Sequence, residues 1–188
     1  MKGKAIIFSA PSGAGKTTIV HSLLDRIPSL RFSISATTRA QRPTEINGRD
    51  YYFHTVDEFT AKQKSGELME WEEVYADTFY GTLRSEVERI WSEGNHVIFD
   101  VDVKGGKKLK EIFKDKAISI FVKVKDESVL RERLQIRNTE SEEILTMRVS
   151  KASEEMKEEK YFDKVVLNEN LDDAIDTAES IVKSFIRS

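Results

Sequence analysis

The chain has 188 residues, 39% of them hydrophobic and 34% charged, enough for one domain with an apolar core and perhaps a small insertion, but cramped for two. It has no apolar run long enough to span a bilayer and no cysteine, which rules out disulfides, thiolate nucleophiles and Cys-ligated metal centres and fits a reducing cytoplasm. A net charge of -3 argues against a general electrostatic grip on nucleic acid, so an anionic ligand has to be held by a local cluster.

Ala5-Ile6-Ile7-Phe8 is an unbroken apolar run, as expected of a strand buried on both faces of a parallel sheet. It follows too short a leader for a signal peptide, so secretion is not expected. A glycine-rich turn comes next, and apolar residues at Ile19, Val20, Leu23, Leu24 and Ile27 then predict a helix from Lys16 that Pro28 and Ser29 close. Phe32-Ser33-Ile34-Ser35 alternates like one half-buried strand, and 36–50 is polar enough to predict an irregular loop. Thr55-Val56-Asp57-Glu58 has the form of a capping box, and Gly66 suits the end of the helix it starts.

Residues 68–82 predict short strands with turns, and Val87, Ile90 and Trp91 a helix stopped by Gly94. His96 to Asp100 predicts a second buried strand. Gly105-Gly106 reads as an interruption before a helix through Leu109 and Ile112, and 118–124 as a further strand. The charged span 126–160 predicts two thinly packed helices, followed by a strand at 164–167 and an amphipathic helix from Leu171 to Ile186. This alternation predicts an α/β fold with a parallel sheet and right-handed crossovers.

Ala10-Pro11-Ser12-Gly13-Ala14-Gly15-Lys16-Thr17 matches the phosphate-binding loop G-x-x-x-x-G-K-S/T at every defining position but the first. A tight strand-to-helix turn would explain the glycines but not Lys16 and Thr17. In the ligand-binding reading, backbone amides and the helix N-terminus face phosphate oxygens, Lys16 neutralises the terminal phosphates and Thr17 ligates magnesium. Asp100 and Asp102 follow a predicted parallel strand, where ligands bind in open α/β sheets; solvated turn acids are the plainer alternative. Arg39 and Arg42 in a loop, and Arg133, Arg137 and Arg148 on the charged helices, are either phosphate ligands or solvated cations. His21, His54 and His96 are too scattered for a metal site and are read as structural.

Ser33-Ile34-Ser35-Ala36-Thr37-Thr38-Arg39, Arg42-Pro43, Asn47-Gly48-Arg49-Asp50-Tyr51-Tyr52-Phe53, Glu70-Trp71 and Tyr80-Gly81-Thr82, together with the phosphate loop, resemble guanylate kinases of the bacterial type over essentially the whole chain. The resemblance implies a phosphate-loop nucleoside-monophosphate-kinase fold. Its core would be 1–34, 83–126 and 157–188, its GMP-binding region 35–82 and its lid 127–156. It implies magnesium-dependent transfer of the γ-phosphoryl group of ATP to GMP, in the cytoplasm and in purine nucleotide metabolism, with no nucleic acid, membrane or obligate protein partner; whether dGMP also serves is left open.

Carried over residue by residue, the resemblance assigns Arg39, Arg42, Tyr51 and Tyr80 to the GMP phosphate and Ser35, Glu70 and Thr82 to guanine, with Gly81 in the same site. Asp100 would orient GMP or a magnesium-bound water. ATP would lie along residues 10–17, Thr18 and Asn168, the last beside adenine. Lys16, Arg42, Arg133, Arg137 and Arg148 would surround the transferred group. Three positions depart from the family pattern: Ala10 for the first loop glycine, Thr82 where serine is usual, and Asn138 where glycine is common. A phosphopeptide-binding scaffold domain and a kinase of a ribose bisphosphate are the competing readings; the intact phosphate loop speaks against the first and Glu70 with Ser35 against the second.

Overall fold

A computed structural model describes residues 3–137 and 142–188. In chain order the elements are β1 (Ala5–Ser9), α1 (Lys16–Arg26), β2 (Leu30–Phe32), β3 (Ser35–Thr37), β4 (Tyr52–Phe53), α2 (Val56–Ser65), β5 (Leu68–Tyr75), β6 (Thr78–Leu83), α3 (Arg84–Ser92), β7 (His96–Val101), α4 (Val103–Phe113), β8 (Ala117–Lys123), α5 (Glu127–Arg137), α6 (Glu142–Met156), β9 (Lys164–Leu167) and α7 (Leu171–Arg187).

β1 is buried along its whole length because it is the central strand of a parallel sheet ordered β2-β7-β1-β8-β9. Its side chains alternate between two apolar layers, as the period of a strand requires. Ile6 and Phe8 join Ile98, Ile120 and Val122 under Ile19, Val20 and Leu23 of α1 and Ala174, Ala178 and Val182 of α7. Ala5 and Ile7 face the other way, with Val97 and Phe99, against Val87 and Ile90 of α3 and Leu109 and Phe113 of α4. Each fully buried Ile, Leu or Phe contributes roughly 1.5–3 kcal/mol, so the two layers fix the strand ends that carry the site. Among the described residues no helix is long and apolar enough to cross a membrane.

A second sheet, ordered β4-β3-β6-β5, stands on the small cluster of Ala36, Phe59, Leu68 and Leu83. Its helix α2 begins at the expected capping box: Thr55 accepts from the Glu58 amide, and the Glu58 carboxylate accepts from that of Thr55. The helix ends at Gly66, whose φ of 73° is the left-handed conformation glycine adopts most easily.

Three expectations need correction. Phe32 to Ser35 is not one strand: β2 ends at Phe32 on the large sheet, and β3 begins at Ser35 on the small one. The Ser33 amide donates to the Ile98 carbonyl, so the chain leaves the first ladder still hydrogen-bonded. The loop predicted for 36–50 begins only after Thr37, because Ala36 and Thr37 pair with β4 and β6. Gly105 and Gly106 do not interrupt α4 but lie in its first turn, after an N-cap at Asp102. A methyl group on Gly106 would stand 2.1 Å from Ser9 Oγ, so glycine there permits helix and strand to approach closely. The short strands expected over 68–82 form one hairpin, β5 and β6, turning at Ala76 and Asp77.

Candidate active site

The phosphate loop connects the carboxyl end of β1 to α1. Gly13 and Gly15 have φ of 90° and 89°, values that carry a strain for any residue with a Cβ, and Gly15 is the N-cap of α1. The Ala14 amide donates to the Pro11 carbonyl at 3.1 Å and closes the turn. Lys16, the first residue of the helix, ion-pairs with Asp100, and the Thr17 hydroxyl donates to Asp100 Oδ2 at 2.7 Å. Burial lowers the Lys16 ammonium to about 8, against the opposing pull of Asp102 and Glu155.

Two cavities meet here. One, of about 330 Å³, is walled by residues 10–17 with Val74, Asp102, Arg148, Lys151 and Glu155. The other, of about 400 Å³, reaches from Lys16, Thr17, Asp100 and Asp102 to Ser35, Tyr51, Glu70, Tyr80 and Gly81 of the small sheet. Lys16, Thr17, Val74 and Asp102 line both, so the cavities share a wall.

Strand register explains the far end of the larger cavity. Ser35 lies opposite Thr82 on one side and Glu70 lies opposite Thr82 on the other, which puts three polar residues in a row across β3, β6 and β5. Glu70 is only 5% exposed and accepts from Thr82 Oγ1 at 2.6 Å. Burial raises its carboxyl to about 7, with Asp102 adding to the rise and Thr82 opposing it.

At the mouth, Arg39 donates to both carboxylate oxygens of Glu45 at 2.7 and 3.0 Å and to the Tyr80 hydroxyl at 3.2 Å, with its guanidinium over the Tyr51 ring. Glu45 is held at about 2 by Arg39 and the Arg42 amide. The Arg42 side chain lies on an exposed loop and is not part of either cavity wall.

The ATP-side residues divide. Arg148 donates to Ser12 Oγ at 3.1 Å on the cavity side. Asn168 and Arg133 instead brace the loop from behind: Asn168 Nδ2 donates to the Ala14 carbonyl at 2.7 Å, and Arg133 donates to the carbonyls of Ala14 and Asn168. Asn168 Oδ1 is buried and finds no hydrogen-bond partner among the described residues. Thr18 is exposed and off both walls. The Arg137 side chain and Asn138 lie outside the described residues.

Sequence reasoning missed Glu45, although an acid two residues after Arg42-Pro43 could have signalled an arginine partner. It also missed His21, which stacks on Phe32 at a centroid distance of 6.2 Å and lines the larger cavity. Val74, Lys151 and Glu155 carried no local signal.

Two cavities that share a wall at Lys16 suit an enzyme that moves a group between two bound ligands. A phosphate loop after the central strand of a parallel sheet makes this chain a phosphate-loop kinase by class. Residues 2–185 match the family model described as guanylate kinase. The chain is 45% identical over 183 residues to a guanylate kinase of Salinibacter ruber, covering 97% of each, and 46% identical over 184 residues to one of Porphyromonas gingivalis, covering 97% of this chain and 98% of the relative. The solved guanylate kinase of Anaplasma phagocytophilum superposes with a TM-score of 0.78 at 29% identity, covering 97% of this chain and 85% of that one. The chain belongs to the guanylate kinase family.

Proposed function

We propose that the two cavities hold the two substrates of one phosphoryl transfer, with the triphosphate of ATP along the phosphate loop and GMP in the cavity ending at Glu70. The chain is thus an ATP:GMP phosphotransferase, giving ADP and GDP. The observation that carries the assignment is the buried Glu70 at the end of a cavity that begins at Lys16. Guanine offers adjacent donors at N1 and the exocyclic N2, which one carboxylate can accept together. Adenine has an acceptor at N1 and would leave a buried acceptor facing an acceptor.

The acceptor phosphate, with a second pKa of about 6, is largely dianionic near pH 7, so no general base is assigned. One of its oxygens bonds to the γ-phosphorus of ATP as the bond from that phosphorus to the β,γ-bridging oxygen breaks, and ADP leaves with that electron pair. Lys16 neutralises charge on the transferred group. Arg39, Tyr51 and Tyr80 receive the GMP phosphate, and Arg39 exchanges the Glu45 carboxylate for it. Arg42, Arg133, Arg137 and Arg148 are assigned to closure, with 127–156 as the lid and 35–82 as the GMP-binding region. Closure excludes water that would otherwise hydrolyse ATP. Asn168, buried behind the loop, is assigned to holding the Ala14 carbonyl and so the shape of the ATP side.

Thr17 Oγ1 and the Asp100 carboxylate are hard oxygen donors beside the phosphate loop, and this fits magnesium. Among the described residues no group of three or more His, Cys, Asp or Glu is arranged for a metal, which suits an ion held largely by phosphates and water. Bound there, it would neutralise phosphate charge. The lack of cysteine supports a cytoplasmic location.

The test is ADP release from magnesium-ATP with GMP, AMP, CMP, UMP and ribose 1,5-bisphosphate offered separately. Fast turnover with GMP alone is expected. No turnover with any acceptor, in folded protein, overturns the assignment in favour of a binding domain.

A further inference from the structure

The first turn of α4 lies against β5 of the small sheet. Lys104 ion-pairs with Glu72, and Lys108 sits 5.7 Å above the Trp71 ring, so α4 touches β5 on either side of Gly105. Between these contacts Gly105 faces Glu70. A methyl group built on Gly105 would stand 3.1 Å from Glu70 Oε2 and 3.2 Å from Asp102 Oδ1, both inside ordinary contact distance. The Gly105 amide is already used, donating to Asp102 Oδ1 at 2.7 Å to cap the helix. Its φ is not in the left-handed region, so neither backbone conformation nor capping calls for glycine here.

Glu70 lines the cavity, and one of its two oxygens is anchored. Its Oε1 accepts from Thr82 at 2.6 Å, and the side chain is 5% exposed. A Cβ at position 105 would therefore push Oε2 by a few tenths of an ångström while Thr82 holds Oε1, turning the carboxylate from its present orientation. Paired acceptance from two adjacent donors depends on that orientation.

We propose that the bare backbone at Gly105 determines base specificity: it reserves the position of Glu70 Oε2 from which the carboxylate meets both donors of guanine. The inference rests on Glu70 reading guanine and extends that reading to a residue on the opposite side of the interface. Gly105 acts through Glu70 and is a positioning residue.

The experiment is Gly105→Ala, measured in wild-type and Glu70→Ala backgrounds. With Glu70 present, KM for GMP should rise about tenfold, in keeping with the cost of a sub-ångström misplacement, while KM for ATP stays within about twofold. In the Glu70→Ala background, where the base-reading carboxylate is gone and only that of Asp102 is still crowded, adding Gly105→Ala should change KM for GMP by less than about twofold. Alanine is the better helix former, so Tm should hold or rise. An unchanged KM for GMP, the same effect in both backgrounds, or a Tm lowered by about 10 °C or more would overturn the proposal. If Glu70→Ala alone leaves KM for GMP unchanged, the guanine assignment falls with it; if Glu70→Ala raises KM and Gly105→Ala does not, only the role of Gly105 falls.

Discussion

Thr82 and Glu70 stand opposite each other on β6 and β5, and the Thr82 hydroxyl donates to Glu70 Oε1 across the pair. The bond fixes one oxygen of a carboxylate that burial drives towards its neutral form, and it opposes that shift in part. Replacing Thr82 by valine keeps the shape and removes the donor. Because a hydrogen bond to a charged group contributes about 1.5–3 kcal/mol, Thr82→Val should raise KM for GMP by at least tenfold and leave KM for ATP alone. Steady-state kinetics with each substrate varied in turn tests this, and an unchanged KM for GMP would separate Thr82 from base recognition.

Glu70, raised to about 7, is half protonated near neutrality in the free protein, and only its ionised form accepts from both guanine donors. Affinity for GMP should therefore fall as pH drops below about 7, approaching tenfold per unit. Glu70→Gln should lower turnover of GMP strongly at every pH, flatten that dependence and leave ATP binding nearly intact. Isothermal titration of GMP from pH 5.5 to 8.5 makes the comparison.

The same carboxyl has a consequence for stability. Its folded pKa is raised, so its contribution is fully present below about pH 4.5 and is lost as pH rises through about 7. The neutral Glu70→Gln variant lacks this loss. Its stability relative to wild type should increase by about 2–3 kcal/mol between pH 5 and pH 8, measured by urea unfolding without nucleotide. An equal difference at both pH values would show that burial does not disfavour the charged form.

Lys16 behaves oppositely with pH. Lowered to about 8, it loses its charge above that value in the free protein, so kcat/KM for ATP should decline as pH rises through 8. Lys16→Ala should lose on the order of 10³ in kcat with an unchanged far-UV circular dichroism spectrum. Near-normal turnover in a folded variant would remove Lys16 from the transferred group.

The capping box gives a prediction with no active-site component. Thr55→Ala removes the acceptor for the Glu58 amide and should cost about 1 kcal/mol in chemical denaturation, with kcat unchanged.

The phosphate loop, the capping box and the acid-ended strand β7 were legible because each is a local device whose residues sit within a few positions of one another. Phe32 to Ser35 was misread because its alternation runs unbroken through a change of sheet, and alternation carries no information about which strand is the partner. Gly105 and Gly106 looked like a break because glycine is a poor helix former, whereas what requires their bareness, Ser9 and Glu70, is distant in sequence. The row of Ser35, Thr82 and Glu70 could be assembled from resemblance, but its geometry depends on two strand registers that no single segment encodes. Arg39 was expected to be open to phosphate, and its present partner Glu45 comes from the same polar loop, where spacing sets no pairing.

Between β2 and β3 only Ser33 and Ile34 separate the two sheets, and on the return path β6 runs directly into α3 at Leu83 and Arg84. The chain thus crosses twice between the small sheet and the large-sheet layer, once over Ser33 and Ile34 and once at the junction of β6 with α3, and the Lys104–Glu72 ion pair adds a side-chain contact between α4 and β5. Two chain crossings favour rotation of the small sheet about the line joining them, because sliding would stretch both at once, and the exposed Lys104–Glu72 pair is a weak restraint on that rotation. Glu70, Thr82 and Tyr80 would then travel along arcs about a common axis, and their movement towards Lys16 would be described by a single angle.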